Sequence, residues 1–387
     1  MNILDKFNNL ILNKRATLLG VGPMSKNVVD SSIELSDKYK IPIILIASRR
    51  QIDSDEFGGG YVENWNTKEF ADYVRKKSKT KNIILARDHG GPWQNNLELK
   101  KKLNLKQAML SAKISFKSDI DNGFQILHID PSIDIHKKLN QDTILKRVFE
   151  LYEYCWNYAQ SKKKEIIFEI GTEEQSGSTN SDYELEYVID KMNKFCKKKN
   201  IPKVSFVVIQ AGTKVMETKN IGSFESNLRI KNEIPVEIQL PRMLEICNKN
   251  NVFMKEHNTD YLSDDSLNWH PKLGIHSANV APEFGVYETR ALLRLFDNEN
   301  LKNEKKEFLK IAYNSKKWVK WMMENSEASY EDKCVIAGHY VFSNKRVIEL
   351  KKILDKKLNK KKMKLDLLLK KEITKVISKY LKCFRLI

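Results

Sequence analysis

Short apolar runs rich in Val, Ile and Leu recur along the 387-residue chain, each ending in polar residues and separated from the next by helical spacing. A strand that is apolar on both faces must be buried on both. A parallel sheet covered by its own crossover helices provides that burial. The runs are 17–22 (TLLGVG), 42–48 (PIILIAS), 82–89 (NIILARDH), 124–130 (FQILHID), 165–173 (EIIFEIGTE), 204–210 (VSFVVIQ), 252–257 (VFMKEH) and 273–279 (LGIHSAN). Helical patterns fall at 28–39, 67–79, 143–163, 183–198, 241–250 and 284–296, and an insertion occupies 211–235. Eight such units over about 280 residues predict an α/β fold, a closed (β/α)8 barrel of the TIM type. A doubly wound open sheet would want a nucleotide-binding fingerprint after its first strand. The first run ends GVGPMS, which lacks the third Gly of GxGxxG.

Helical patterns continue past the barrel at 304–323 and 344–358, so a C-terminal helical extension is expected. The division expected is 1–342 for the barrel with its helices and 343–387 for a basic amphipathic helical tail. Net charge is +18, which invites a nucleic-acid reading, but 343–387 alone holds 16 basic and 4 acidic residues. The first 342 residues then carry 52 basic against 46 acidic, too even a balance for a nucleic-acid-binding body. In the tail, Leu365, Leu368, Leu369, Ile373, Val376, Ile377, Tyr380 and Leu381 form one helical stripe on a lysine background. Such a stripe can pack on the barrel or a second subunit, lie on an anionic membrane surface, or belong to a disordered end.

A hydrophobic content of 41% supports a sizeable core. No stretch approaches the roughly 20 apolar residues of a membrane span, and the first 15 residues lack the apolar core and cleavage site of a secretion signal, so a cytoplasmic location is expected. The five cysteines are widely spaced with no CxxC, which reads as reduced thiols.

In a barrel of this kind the chemistry sits at the C-terminal ends of the strands. There the third run presents Asp88 and His89, and the fourth His128 and Asp130. The fifth presents Glu169 and Glu173, the sixth Gln210, the seventh His257 and Asp260, and the eighth His276 and Asn279. Histidine and carboxylate on one rim make a divalent-metal arrangement, zinc foremost, with His89, His257, His276 and Glu169 as ligands. A metal there polarises a substrate carbonyl and stabilises an enediolate, while a nearby carboxylate, Asp88 or Glu173, moves the proton. Asp130, Gln210, Asp260 and Asn279 are the expected substrate contacts. Gly59 and Gly60, in the loop Phe57-Gly58-Gly59-Gly60-Tyr61, are read as a phosphate cradle of backbone amides.

The segments FGGGY, ILARDHGGPW, GFQILHIDPS, FEIGTEE and EHNTDYL, in that order, resemble the Z-type subunit family of class II tagatose-bisphosphate aldolase. Members are described either as accessory, non-catalytic aldolase subunits or as metal-dependent ketose or ketose-phosphate 4-epimerases. The resemblance covers about residues 17–296. It implies Asp88 as acid/base and His89 as metal ligand. It also implies retro-aldol or epimerisation chemistry on a sugar phosphate or sugar acid. The implied partners are a second copy of the chain or a catalytic class II aldolase subunit. The run GIHSANVAPEFG and the insertion after Gln210 depart from the family pattern, and both shape the pocket, so the sugar stays open.

Overall fold

Each of the eight apolar runs forms a strand that is buried almost throughout. In the computed structural model, which describes residues 3–171, 181–226 and 234–387, the strands are β1 Leu18–Val21, β2 Ile43–Ser48, β3 Ile83–Gly90 and β4 Ile126–Ile129. They continue as β5 Ile167–Ile170, β6 Phe206–Ile209, β7 Phe253–Glu256 and β8 Ser277–Val280. All pair in parallel and in chain order, and β8 returns to β1, with Leu18 opposite Ser277 and Gly20 opposite Asn279. The barrel is therefore closed and has no free edge, which a parallel sheet of this size otherwise has to cover.

The helices start where the sequence can satisfy their free amides. Asn66 with Glu69, Asn104 with Gln107 and Ser181 with Glu184 form reciprocal capping boxes at three of them. Helix Val236–Asn250 begins five residues before the expected 241, with Pro241 inside it. Its early turns need no amide from Pro241 strongly enough to stop the helix. The larger departure is at the eighth unit. Helix Asp264–Leu273 runs through the first residue of the expected strand and ends at Gly274, whose φ of 90° is a left-handed stop. Strand β8 thus starts at Ser277, and the residues from Leu273 to His276 are not part of it.

The N-terminal segment closes the bottom of the barrel: Phe7 is fully buried with its ring 5.9 Å from Phe206. The basic tail is no appendage. Its helix Leu365–Cys383 lies across helices Lys26–Tyr39 and Pro282–Asn298, and Ile373, Val376, Ile377, Tyr380 and Leu381 belong to the barrel's own core. The Phe384 carbonyl accepts from the Thr17 amide just before β1, and the Tyr380 hydroxyl donates to Glu283. The stripe is thus committed to the barrel, as the packing reading had it, which corrects both the membrane-surface and the disordered readings of 360–387. Among the described residues, no helix is long and apolar enough to cross a membrane.

This packing generates an expectation. Ile373→Ala and Leu369→Ala each lower the unfolding free energy by about 2–5 kcal/mol, because the helix cannot collapse around the cavity. Deleting 360–387 strips the core and yields protein without a cooperative urea transition. A truncated chain that unfolds at the full-length midpoint would show that the tail carries none of the stability.

Candidate metal and active centre

The register between β3 and β4 shifts between Arg87 and Gly90, and within that irregularity His89 takes a φ of 45°. A residue with a side chain seldom occupies the left-handed region, and such strain collects at functional sites. The consequence is geometric. Consecutive residues of a regular strand point to opposite faces, but this bulge sends both Asp88 and His89 into one pocket.

His128 from β4, Glu169 from β5 and His257 just after β7 meet them there. The rings of His89, His128 and His257 lie with centroids 5.0–5.3 Å apart. One ligand atom from each of these three, or from Asp88, His128, Glu169 and His257, falls within 4.8 Å of all the others. His257 Nε2 is 3.4 Å from Glu169 Oε1 and 3.8 Å from Asp88 Oδ1. Behind the cluster, Asp130 takes His89 Nδ1 at 2.6 Å, which leaves Nε2 facing the pocket. That carboxylate–histidine pair is the usual support of a metal-binding imidazole. His128 presents Nδ1 to the cluster, 3.5 Å from Glu169 Oε1 and 3.6 Å from Asp88 Oδ1, where it also accepts from the His89 amide; its Nε2 points away toward Gly171, buried and without a hydrogen-bond partner among the described residues. A donor set of three imidazoles and two carboxylates converging on one pocket fits a divalent ion.

The charges are tightly coupled. Burial would raise the Asp88 carboxyl, but the charges on His89 and His257 outweigh it and hold Asp88 well below the usual range. Burial would depress His89, but Asp88 and then Asp130 lift it to about 9. For His257 burial wins over Asp88 and the ring is pushed below its ordinary value. Glu169 is buried too, yet Lys255, whose Nζ sits 2.6 Å from Oε2, holds it down to about 2.

Of the residues singled out from sequence, the structure brings together Asp88, His89, Asp130, Glu169 and His257, with Asn279 Nδ2 3.5 Å from Asp88 Oδ1. Gln210 stands directly after β6 at the same end of the barrel. Glu173 lies outside the described residues. Three expectations are corrected. His276 precedes β8 at the opposite end, where its Nδ1 accepts from the Met254 amide, so it is not a ligand at this cluster. The amides of Gly59 and Gly60 donate to the carbonyls of Ser54 and Trp65, so they are not free to cradle a phosphate. An added Cβ at Gly60 would meet the Gln51 carbonyl at 1.8 Å, so that glycine serves close packing of the loop on itself. Asp260 accepts from the amides of Ala281 and Glu283 and fastens the start of helix Pro282–Asn298. Burial and the Glu283 charge push its carboxyl up to about 8.

Sequence reasoning passed over Lys255, although it stands two residues before His257 and so on the same face of β7. It also gave His128 no ligand role.

A family model described as D-tagatose-1,6-bisphosphate aldolase subunit GatZ/KbaZ-like matches residues 9–379. The chain belongs to this family. The match runs past the barrel into the C-terminal helix, so the family's chain includes the tail as well. Among solved structures, a probable tagatose 6-phosphate kinase from Sinorhizobium meliloti aligns over 95% of this chain and 100% of its own, at 16% identity and a TM-score of 0.72. A fructuronate-tagaturonate epimerase from Cohnella laeviribosi aligns over 96% and 81%, at 11% identity and a TM-score of 0.56. A fructose-bisphosphate aldolase from Campylobacter jejuni aligns over 99% and 93%, at 12% identity and a TM-score of 0.52. At such identities these likenesses show the shared fold. No curated protein sequence matches the chain.

The misplaced histidine gives a pH test. Burial pushes His276 down to about 4, so the folded state excludes a proton that the unfolded chain binds below about 6.5. Its contribution is complete above pH 6.5 and is lost as pH falls toward 4. Between pH 7 and 4.5 the native chain should therefore lose about 2 kcal/mol more unfolding free energy than His276→Gln. Equal losses, measured by urea denaturation, would show that His276 does not titrate in this way.

Proposed function

We propose that this GatZ/KbaZ-like chain is a metal-dependent enzyme that runs retro-aldol or epimerisation chemistry on a ketose derivative. The supporting observation is the convergence of His89, His128, His257, Asp88 and Glu169 at the C-terminal end of the barrel, with Asp130 orienting His89. His89 and His257 would hold the ion, with Glu169 Oε1 and His128 completing the set. A divalent ion there, zinc foremost, would supply Lewis-acid polarisation of a sugar carbonyl.

The remaining work falls to the chain. Asp88 lies 3.6–3.8 Å from the imidazoles of His89, His128 and His257 and is largely shielded, so it would take the proton from carbon or hydroxyl next to the polarised carbonyl. Asn279 reaches the same carboxylate and restrains its orientation. Asp130 fixes the His89 tautomer by accepting a hydrogen bond from Nδ1–H. Lys255 neutralises one oxygen of Glu169 and leaves the other facing the imidazoles.

The family description supports a second reading, a subunit of an aldolase assembly. Under that reading the chain stabilises a class II aldolase catalytic subunit and needs no ion of its own. The cluster favours the enzymatic reading, since a scaffold has no use for strain at His89 or for imidazoles and carboxylates gathered at one buried point.

Elemental analysis of the gently purified chain should find about one divalent ion per chain, and His89→Ala should lose it. In a screen of ketose phosphates and keto-uronates, Asp88→Asn should cut turnover by about 100-fold or more with the fold intact. Cleavage products or C4 epimers would tell the lyase from the epimerase. Full turnover after chelation, or an unimpaired Asp88→Asn, would overturn the mechanism. A metal-free, inactive chain that raises the stability of an aldolase would establish the accessory role instead.

A further inference from the structure

Above the cluster, one wall of the pocket comes from the loop after β2 and from the helices that follow the barrel. The two are fastened together. The Ser343 hydroxyl donates to the Tyr61 carbonyl at 2.7 Å, and the Tyr61 and Tyr340 rings lie 4.8 Å apart. Trp321 Nε1 donates to the Tyr340 oxygen at 3.2 Å, which leaves the Tyr340 proton free to be donated elsewhere.

Two cations stand in this wall. Arg49 and Arg50 are adjacent in sequence but differ in their partners. Arg49 is saturated by Asp53, Glu98, the Gly91 carbonyl and Ser111. Among the described residues, the half-buried Arg50 guanidinium forms no hydrogen bond or ion pair. Among the described residues Lys320 also has no carboxylate partner. Its ammonium sits 4.4 Å from the Trp321 ring centre and 5.8 Å from that of Tyr340. Lys320 reaches water, but protein surrounds it, and that enclosure together with the Arg50 charge pushes the ammonium down to about 8. The Arg50 charge also bears on His89, so the guanidinium lies on the cluster's side of this wall, with Lys320 and Tyr340 beyond it. Two like charges held close and partly desolvated are costly unless an anion joins them.

We propose that Arg50, Lys320 and the Tyr340 hydroxyl form an anion subsite for the acidic end of the substrate, a phosphate or a carboxylate, while its carbonyl end reaches the His89–His257 cluster. This rests on the reading of the cluster as the catalytic centre. An arginine fork and a lysine point charge are the pair that recognises such oxyanions. Lys320 and Tyr340 come from the helices after the barrel, so the extension completes the substrate site.

The test uses the full-length chain, stripped of divalent ions with a chelator, in calorimetric titrations with inorganic phosphate and, separately, with D-galacturonate. Native protein should bind one of the two, and which one distinguishes a sugar phosphate from a sugar acid. Arg50→Gln and Lys320→Gln should each weaken that binding about tenfold or more. Lys320 lies on a solvent-reached turn, so its variant stays informative even where Arg50→Gln misfolds. His89→Ala, which abolishes the metal, should leave anion binding within about twofold. Anion binding that survives in Lys320→Gln at native strength, or native protein that binds neither probe, overturns the subsite. Loss of the metal reading with anion binding intact would overturn only the proposed catalysis.

Discussion

A buried ion pair, Glu169 with Lys255, divides the apolar filling of the barrel from its chemistry. Both side chains are 1–2% exposed. A lone carboxylate at that depth would be protonated, and a lone ammonium neutral. Paired, Lys255 holds the Glu169 carboxyl low, and removing either partner costs on the order of 3–5 kcal/mol because its mate is left buried and unpaired. Lys255 occupies Oε2, which turns Oε1 toward His128 and His257. The same pair therefore keeps the centre of the barrel folded and presents one carboxylate oxygen to the imidazoles.

Everything above that pair is arranged by the way parallel strands end. Residues far apart in sequence, such as Asp88 and Glu169, meet because each stands at the same end of its strand in a closed barrel. This is why the architecture and much of the centre were legible: eight apolar runs, each with its terminal acid or histidine, were enough. The legible part ended where a strand's start was misread. The run LGIHSAN looks continuous, but helix Asp264–Leu273 takes its first residue and Gly274 turns the chain. A strand beginning at Ser277 leaves His276 at the bottom and Asn279 near the top, so one histidine leaves the centre and the Asn stays. Lys255 was hidden for a different reason. A lysine in a strand ordinarily signals a solvent-facing edge, and only the partner from β5 explains it inside.

The tail shows how composition misleads about location. Its lysines suggested an outward destination, but they sit on the solvent side of a helix whose other side fills the groove between Lys26–Tyr39 and Pro282–Asn298. The stripe spacing carried the correct information, and the charge count obscured it. Periodicity reports which face is buried, but it does not name the surface that buries it. That required the three-dimensional placement of Thr17 and Glu283, which take bonds with Phe384 and Tyr380 from the far end of the chain.

Arg50 and Lys320 lie in segments with no periodicity at all, a tight loop and a single 3₁₀ turn at Val319–Trp321, so no pattern pairs them across 270 residues. Their significance is electrostatic. The cluster gathers Asp88, Asp130 and Glu169 around three imidazoles, while the opposite wall holds two cations that, among the described residues, form no ion pair. A pocket polarised in this way orients a ligand that is anionic at one end and carries a polarisable oxygen at the other, and it disfavours the reverse orientation by like-charge contact. The cation wall is fastened to the barrel through Ser343, the Tyr61–Tyr340 pair, the packing of His339 against Gly285 and the hydrogen bond from the Glu217 amide to the Trp321 carbonyl. Under the proposed reading, substrate choice is thus carried by the helices added after the barrel, whereas bond-making is carried by the strand ends. The two can vary independently on one fold.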